Sequence, residues 1–172
     1  MSTVTKPLAL HADDAAHEDQ HQYLTFRLGD ETFAIGILAV KEILEYGLVT
    51  AVPMMPSFVR GVINLRGRVV PVVDLSLRFG GTRSESTRRT CIIILEVGPE
   101  AERQDVGVVV DAVSQVLEIS PADVEPAPAF GAKLRADFIA GMGKIEGDFV
   151  IILNVERILS TEELAATVSL AR

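Results

Sequence analysis

Phe58-Val59-Arg60-Gly61-Val62-Ile63-Asn64-Leu65-Arg66-Gly67-Arg68-Val69-Val70-Pro71-Val72-Val73-Asp74-Leu75 recurs in altered letters as Phe138-Ile139-Ala140-Gly141-Met142-Gly143-Lys144-Ile145-Glu146-Gly147-Asp148-Phe149-Val150-Ile151-Ile152-Leu153-Asn154-Val155. The offset is a constant 80 residues, and the apolar runs stay aligned with Gly61 over Gly141 and Gly67 over Gly147. An earlier block repeats too, residues 37–45 lying over residues 110–118 at an offset of 73. Two blocks recurring in one order imply two related halves, each a small β-rich unit. A solenoid would need three or more stacked copies.

The copies part company in charge. Asn64-Leu65-Arg66-Gly67-Arg68 becomes Lys144-Ile145-Glu146-Gly147-Asp148, so both arginines face acids while the turn glycine and the apolar flanks persist. What persists is what a turn and a core require; what differs is surface chemistry. Two readings stand side by side: drift on a solvated hairpin tip, where isolated charges contribute little to stability, or a binding surface present on one half only.

The chain has 172 residues, enough for one compact domain or two intimate subdomains. Its hydrophobic content is 48% with 5% aromatics and no Trp, so the core is aliphatic. Sixteen Lys and Arg against 24 Asp and Glu leave a net charge of −8, which excludes a nucleic-acid surface built on a concentrated positive field. Arg78, Arg83, Arg88 and Arg89 are the local exception, and the small polar residues among them read as a solvated linker joining the halves. No run reaches the roughly 18 apolar residues of a spanning helix. Residues 1–21 are polar and acidic, lack the apolar centre of a signal peptide, and read as a disordered tail ahead of a folded unit over residues 22–172. A cytoplasmic protein without direct membrane insertion is expected. The single Cys91 has no partner thiol and reads as a buried, inert group.

Residues 22–28 alternate as a strand and turn at Gly29-Asp30-Glu31 into a second strand, forming a hairpin. Residues 38–45 read as a short amphipathic helix with Leu38, Ile43 and Leu44 inward, and residues 49–52 as a strand stopped by Pro53 and Pro56. Residues 61–65 and 69–73 form a hairpin about Arg66-Gly67-Arg68, with Pro71 expected at an edge or bulge because it removes a ladder donor. Strands follow at 91–97, 106–110 and 113–119, then a proline-rich turn over 120–130 and a hairpin about Glu146-Gly147-Asp148. Ser160-Thr161-Glu162-Glu163 matches a capping box opening a C-terminal helix within 156–172. The fold class is mainly β: two small five-stranded barrels packed together, the first drawn from about 22–80 and the second from about 88–155.

Catalysis finds no footing. No nucleophile elbow, zinc helix or phosphate loop is present, and the three histidines, His11, His17 and His21, all lie in the tail. Asp74 and Asp111 end apolar strands, where an aspartate caps or turns the chain, and neither has a base beside it. No cofactor and no metal site is expected.

With these motifs in view the chain resembles the CheW family of chemotaxis coupling proteins. The residues that carry the resemblance run in order: Phe26-Arg27-Leu28-Gly29-Asp30-Glu31, Val40-Lys41-Glu42-Ile43, Gly61-Val62-Ile63-Asn64-Leu65-Arg66-Gly67 continuing to Pro71-Val72-Val73-Asp74-Leu75, Val106-Gly107-Val108-Val109-Val110-Asp111-Ala112-Val113, and Pro126-Ala127-Pro128. The resemblance implies two SH3-like five-stranded barrels and a non-catalytic adaptor joining the cytoplasmic tip of transmembrane chemoreceptors to the histidine kinase CheA. It puts receptor contact on Val40, Glu42, Asn64, Leu65 and Arg66, and kinase contact on Gly61 and Phe130. For Gly61 a close-packing position and a glycine needing positive φ remain equally open. Glu125 stands where a basic residue is expected in the ring contact, and self-association in rings is left open. An adaptor for a different CheA-like kinase, in surface motility or development, is the neighbouring alternative; a small-molecule enzyme using the cleft between barrels is the distant one.

Overall fold

The computed structural model describes residues 21–126 and 136–159. Among them, β1 (Gln22–Leu28) and β2 (Glu31–Gly36) form a hairpin, a 3-10 turn (Ile37–Ala39) leads into β3 (Val40–Glu45), and β4 (Val59–Leu65) with β5 (Arg68–Asp74) forms a second hairpin closed by a one-turn helix, α1 (Leu75–Arg78). The second half repeats the plan with β6 (Cys91–Val97) and β7 (Gln104–Val110), β8 (Ala112–Glu118), the short β9 (Val124–Glu125), the hairpin β10 (Ile139–Ile145) and β11 (Asp148–Leu153), and α2 (Val155–Ile158).

The fold is mainly β, but the sheets do not divide where the repeat divides. One sheet runs β3-β6-β7-β5-β4 and the other β8-β1-β2-β11-β10-β9. Each half therefore lends its leading hairpin to the other half's sheet. The exchange obeys the repeat residue by residue: the parallel pair Val72↔Gly107 corresponds to Ile152↔Ala34. Neither the stretch 22–80 nor the stretch 88–155 owns a complete sheet, so the halves are bound to fold as one cooperative unit.

Burial follows from this interleaving. Val70, Val72, Ile92, Ile94 and Val109 fill the inside of the five-stranded sheet, while Ala34, Ile119, Val150 and Ile152 fill the other. A third and larger cluster lies where both sheets meet and takes Leu24, Phe26, Phe33, Ile35, Ile93, Leu95, Val106 and Val108. β6 thus buries both faces, Ile92 and Ile94 toward one cluster and Ile93 and Leu95 toward the other, which accounts for its unbroken apolar run. Between the halves the Arg78 guanidinium covers the rings of Phe58 and Phe138, 4.7 and 5.1 Å from their centres, and its Nε donates to the Ile158 carbonyl at 2.8 Å. Phe58 and Phe138 are repeat partners, so this arginine sits between the related halves and does not belong to a solvated linker.

Three further expectations are corrected. Residues 40–45 form a strand paired with β6, not a helix, and only residues 37–39 are helical. Leu38 and Ile43 imitate an inward helical face, yet both are exposed. Residues 49–52 are not a strand: Thr50 makes only a single bridge to Val62, with reciprocal 2.9 Å hydrogen bonds. Pro71 sits inside the interior strand β5. Alternation from the two-residue turn makes Val62↔Pro71 a pair without hydrogen bonds, so the absent N–H faces β7, where the ladder starts only at Val72. In the other sheet Ile151, at the repeat position of Pro71, does pair, with Phe33.

Candidate functional site

The tip of the β4–β5 hairpin is a two-residue turn with φ of 53° at Arg66 and 85° at Gly67, the positive pair that a tight hairpin of this twist demands. Its copy has the same backbone, 48° at Glu146 and 87° at Gly147. Asn64 Oδ1 accepts from the Gly67 amide at 2.8 Å and braces the first tip from within; Lys144, at the repeat position, has no acceptor to offer.

β3 and β4 are the two edges of the five-stranded sheet, and Arg66 joins them. Its Nη1 and Nη2 donate to Glu42 Oε1 and Oε2, each at 2.9 Å, so the sheet curls until its edges face each other. This fork-to-fork geometry fixes both planes. The hydrogen bonds from Arg66 hold the Glu42 carboxyl below its ordinary value, and Glu42 holds the guanidinium above its own. The pair therefore contributes fully above the usual carboxylate range and is lost as pH falls through the lowered Glu42 value. Beside it, Asp105 on β7 receives Lys41 Nζ at 3.2 Å and Arg68 Nη1 at 3.5 Å. At the repeat positions of Lys41, Glu42, Arg66 and Arg68 stand Ser114, Gln115, Glu146 and Asp148. The charge break read at the tip is one part of a larger ion cluster present on the five-stranded sheet only, completed by Asp105 from the other half; Lys41 and Asp105 are its unforeseen members.

Of the other residues expected at a partner surface, Val40 leans on the core shared by the two sheets and Leu65 on the interior of the five-stranded sheet, both half-buried. Arg66, Glu42 and Asn64 are brought together, and the two aliphatic residues flank them from separate apolar clusters. Gly61 is buried on β4 with φ +147°, and a Cβ there would lie 2.1 Å from the Thr50 carbonyl oxygen and 3.0 Å from Ala51 Cα. Both readings of this glycine hold together: positive φ and no room. Phe130 and the capping box at Ser160 lie outside the described residues.

One polar cluster was missed altogether. Arg60, whose side chain is 4% exposed, donates from Nε to the fully buried Asp74 Oδ2 at 3.0 Å, from Nη1 to the Tyr46 hydroxyl at 2.7 Å, and from Nη2 to the Ser84 carbonyl. Asp74 also accepts from the amides of Ser84 and Leu77, at 3.1 and 3.3 Å, the second bond capping α1. Asp111 accepts from the Gly29 amide at 2.7 Å. Both aspartates hold the backbone, as strand-end aspartates commonly do. Burial pushes the Cys91 thiol up, and it donates to the Arg89 carbonyl at 3.3 Å.

The β framework that carries this ion cluster is shared with known proteins. A family model described as the CheW-like domain matches residues 22–163. The chemotaxis protein CheW of Klebsiella aerogenes is 36% identical over 151 residues, 88% of this chain and 89% of that one. Protein FrzA of Myxococcus xanthus is 31% identical over 144 residues, covering 83% and 87%. The crystal structure of the scaffolding protein TtCheW from Thermoanaerobacter tengcongensis superposes with a TM-score of 0.73 at 31% identity, covering 81% of this chain and 87% of that one. With the model spanning nearly all of the described fold, the chain belongs to the CheW family.

Proposed function

We propose that this chain is a cytoplasmic, non-catalytic adaptor that couples the cytoplasmic tips of chemoreceptors to a CheA-type histidine kinase, with receptor contact on Val40, Glu42, Asn64, Leu65 and Arg66. The observation that carries it is the Arg66–Glu42 fork on the half that has it, replaced by Glu146 and Gln115 on the half that lacks it. An exposed bidentate pair has little to contribute to stability; its use is to present fixed charge beside aliphatic groups, which seats a partner helix and sets its register. Kinase contact is assigned to the region of Phe130 and to the barrel that Gly61 keeps closed.

Arg66→Glu tests the assignment. Glu146 occupies the same left-handed turn position, so the fold accepts a glutamate there. The expected result is an unchanged unfolding curve and receptor affinity reduced by about tenfold or more, measured by pull-down and titration, as the new carboxylate would face Glu42 and repel it. Undiminished binding by the folded variant refutes the site. The likeness to FrzA keeps a neighbouring reading in view, the same adaptor role with a different CheA-like kinase. Reconstitution with candidate kinases separates the two by which kinase's activity rises.

A further inference from the structure

Asp105 draws more positive charge than its burial requires. Its side chain is 6% exposed, and Lys41 Nζ reaches both of its oxygens, at 3.2 and 3.3 Å, which gives the buried carboxylate its counter-ion. Arg68 arrives as a second cation, 3.5 Å from Oδ2, yet its side chain is 63% exposed and makes no hydrogen bond among the described residues. Two cations against one carboxylate leave one positive charge over, and the fork of N–H donors on Arg68 stays open to another acceptor. At the repeat positions of Lys41, Arg68 and Asp105 stand Ser114, Asp148 and Thr32, which leave no such excess.

The excess charge borders an opening in the sheet. β5 and β7 pair only from Val72↔Gly107 onward, and ahead of that point they part to leave a cleft of about 390 Å³ between Arg68, Val69 and Pro71 on one wall and Arg103, Gln104 and Asp105 on the other. Pro71, without an N–H, cannot carry the ladder a step further as Ile151 does in the other sheet. Arg103 is committed to its own wall: Nη1 and Nη2 donate to the Gly98 and Glu96 carbonyls at 2.8 and 3.0 Å, with the Glu156 carboxylate 3.7 Å away. Arg68 is therefore the cation of the cleft with donors to offer.

A single excess positive charge in a narrow opening, on a chain of net charge −8, suits one carboxylate and disfavours a polyanion. The opening adjoins the Arg66–Glu42 fork. Lys41 precedes Glu42 on β3, and Arg68 lies two residues past Arg66, at most about 7 Å along the chain. One helical turn matches that step, since side chains four residues apart on a helix lie about 6 Å from each other. We infer that the cleft receives an aspartate or glutamate side chain of the partner helix that rests on the fork, one turn along from the residue that meets Arg66. Arg68 and Lys41 bind the incoming carboxylate. Asp105, contributed by the other half of the chain, is the positioning residue that holds both cations at the cleft. The inference rests on the adaptor reading and adds to it the charge that the partner must carry.

The test is the full chain with Lys41→Ser/Arg68→Gln/Asp105→Thr, titrated against a soluble cytoplasmic fragment of a chemoreceptor. The triple variant removes both cations together with their carboxylate, so no buried charge is stranded, and Ser and Thr are the residues of the repeat at those positions. Its unfolding curve should match the wild type. Its affinity for the fragment should be about fivefold weaker at low salt and should fall less steeply with added NaCl than that of the wild type. Neutralising the acidic residues of the fragment one at a time, glutamate to glutamine or aspartate to asparagine, should find one whose loss weakens the wild type about fivefold and leaves the triple variant unaffected. Weaker binding by the triple variant with no acidic residue coupled to it would be a purely structural effect and would overturn the inference. Wild-type affinity and salt dependence in the triple variant would overturn it as well. Arg66→Glu separates the two levels. If Arg66→Glu weakens binding and the triple variant does not, the cleft is refuted and the fork stands; if neither weakens it, the adaptor site is refuted and the cleft with it.

Discussion

Gly61→Ala is expected to lower the stability of this protein by roughly 4 kcal/mol, combining the strain of a side chain at positive φ with overpacking against atoms that have no room to move. The neighbours decide the size of the effect. A Cβ at Gly61 meets the main chain of Thr50 and Ala51, and Thr50 is tied by reciprocal 2.9 Å hydrogen bonds to Val62 on the same strand. Relief requires breaking that bridge. Two other glycines separate the contributions. Gly67, at φ +85° in open space, has only the conformational cost, about 1 kcal/mol for Gly67→Ala. Gly141 is the repeat partner of Gly61, but its φ lies outside the left-handed region and its nearest neighbour is the Val124 side chain at 2.6 Å, which can turn aside more cheaply than a main chain. Thermal unfolding should place Gly61→Ala about 12 °C below wild type, with the other two within a few degrees of it. If Gly61→Ala melts alongside Gly67→Ala, the Thr50–Ala51 segment is not seated as described, and the barrel's closure over β4 fails with it.

How much of this was legible follows from which signals the letters carry. The repeat fixed both hairpin tips, down to a positive φ pair in each, because turn chemistry is local. It also held a correction that periodicity obscured. Residues 37–45 align with residues 110–118, yet the first block reads as a helix by its apolar spacing and the second in large part as a strand; the structure makes both strands, β3 and β8. Ile43 and Val116 stand at matching positions and are both exposed, so in each copy one outward aliphatic residue breaks the alternation that identifies a strand. The exchange of leading hairpins was not legible at all. Alternation states which residues are buried, and β1 and β6 bury equally well against either half; the choice of partner is made by long-range pairing that leaves no local trace. Asp105 has no sequence signal for the same reason, since it meets Lys41 and Arg68 only through the sheet.

The Arg60–Asp74 pair was within reach of the aligned blocks, because both members depart together: Arg60 over Ala140, and Asp74 over Asn154. Asn154 keeps the capping role, accepting from the Arg157 amide at 3.2 Å as Asp74 accepts from Leu77, and needs no counter-ion to do it. One fold position is thus solved twice, once with a buried ion pair and once with a neutral amide. A double-mutant cycle should expose the difference. Arg60→Ala alone strands a fully buried carboxylate with only the Ser84 and Leu77 amides, a loss expected at about 3 to 5 kcal/mol. Asp74→Asn alone leaves a guanidinium with 4% of its side chain exposed facing a neutral group, and should cost a comparable amount. The double variant reproduces the Ala–Asn arrangement that the chain already uses elsewhere, so its loss should fall short of the sum of the two single losses by a coupling of roughly 2 to 3 kcal/mol, read from urea unfolding. Full recovery is not expected, since the Tyr46 hydroxyl and the Ser84 carbonyl also lose their donor. Additive losses in the double variant would mean that the two charges stabilise the fold independently, and that the pair does not act as the single clamp holding Tyr46 and the 83–90 loop against α1.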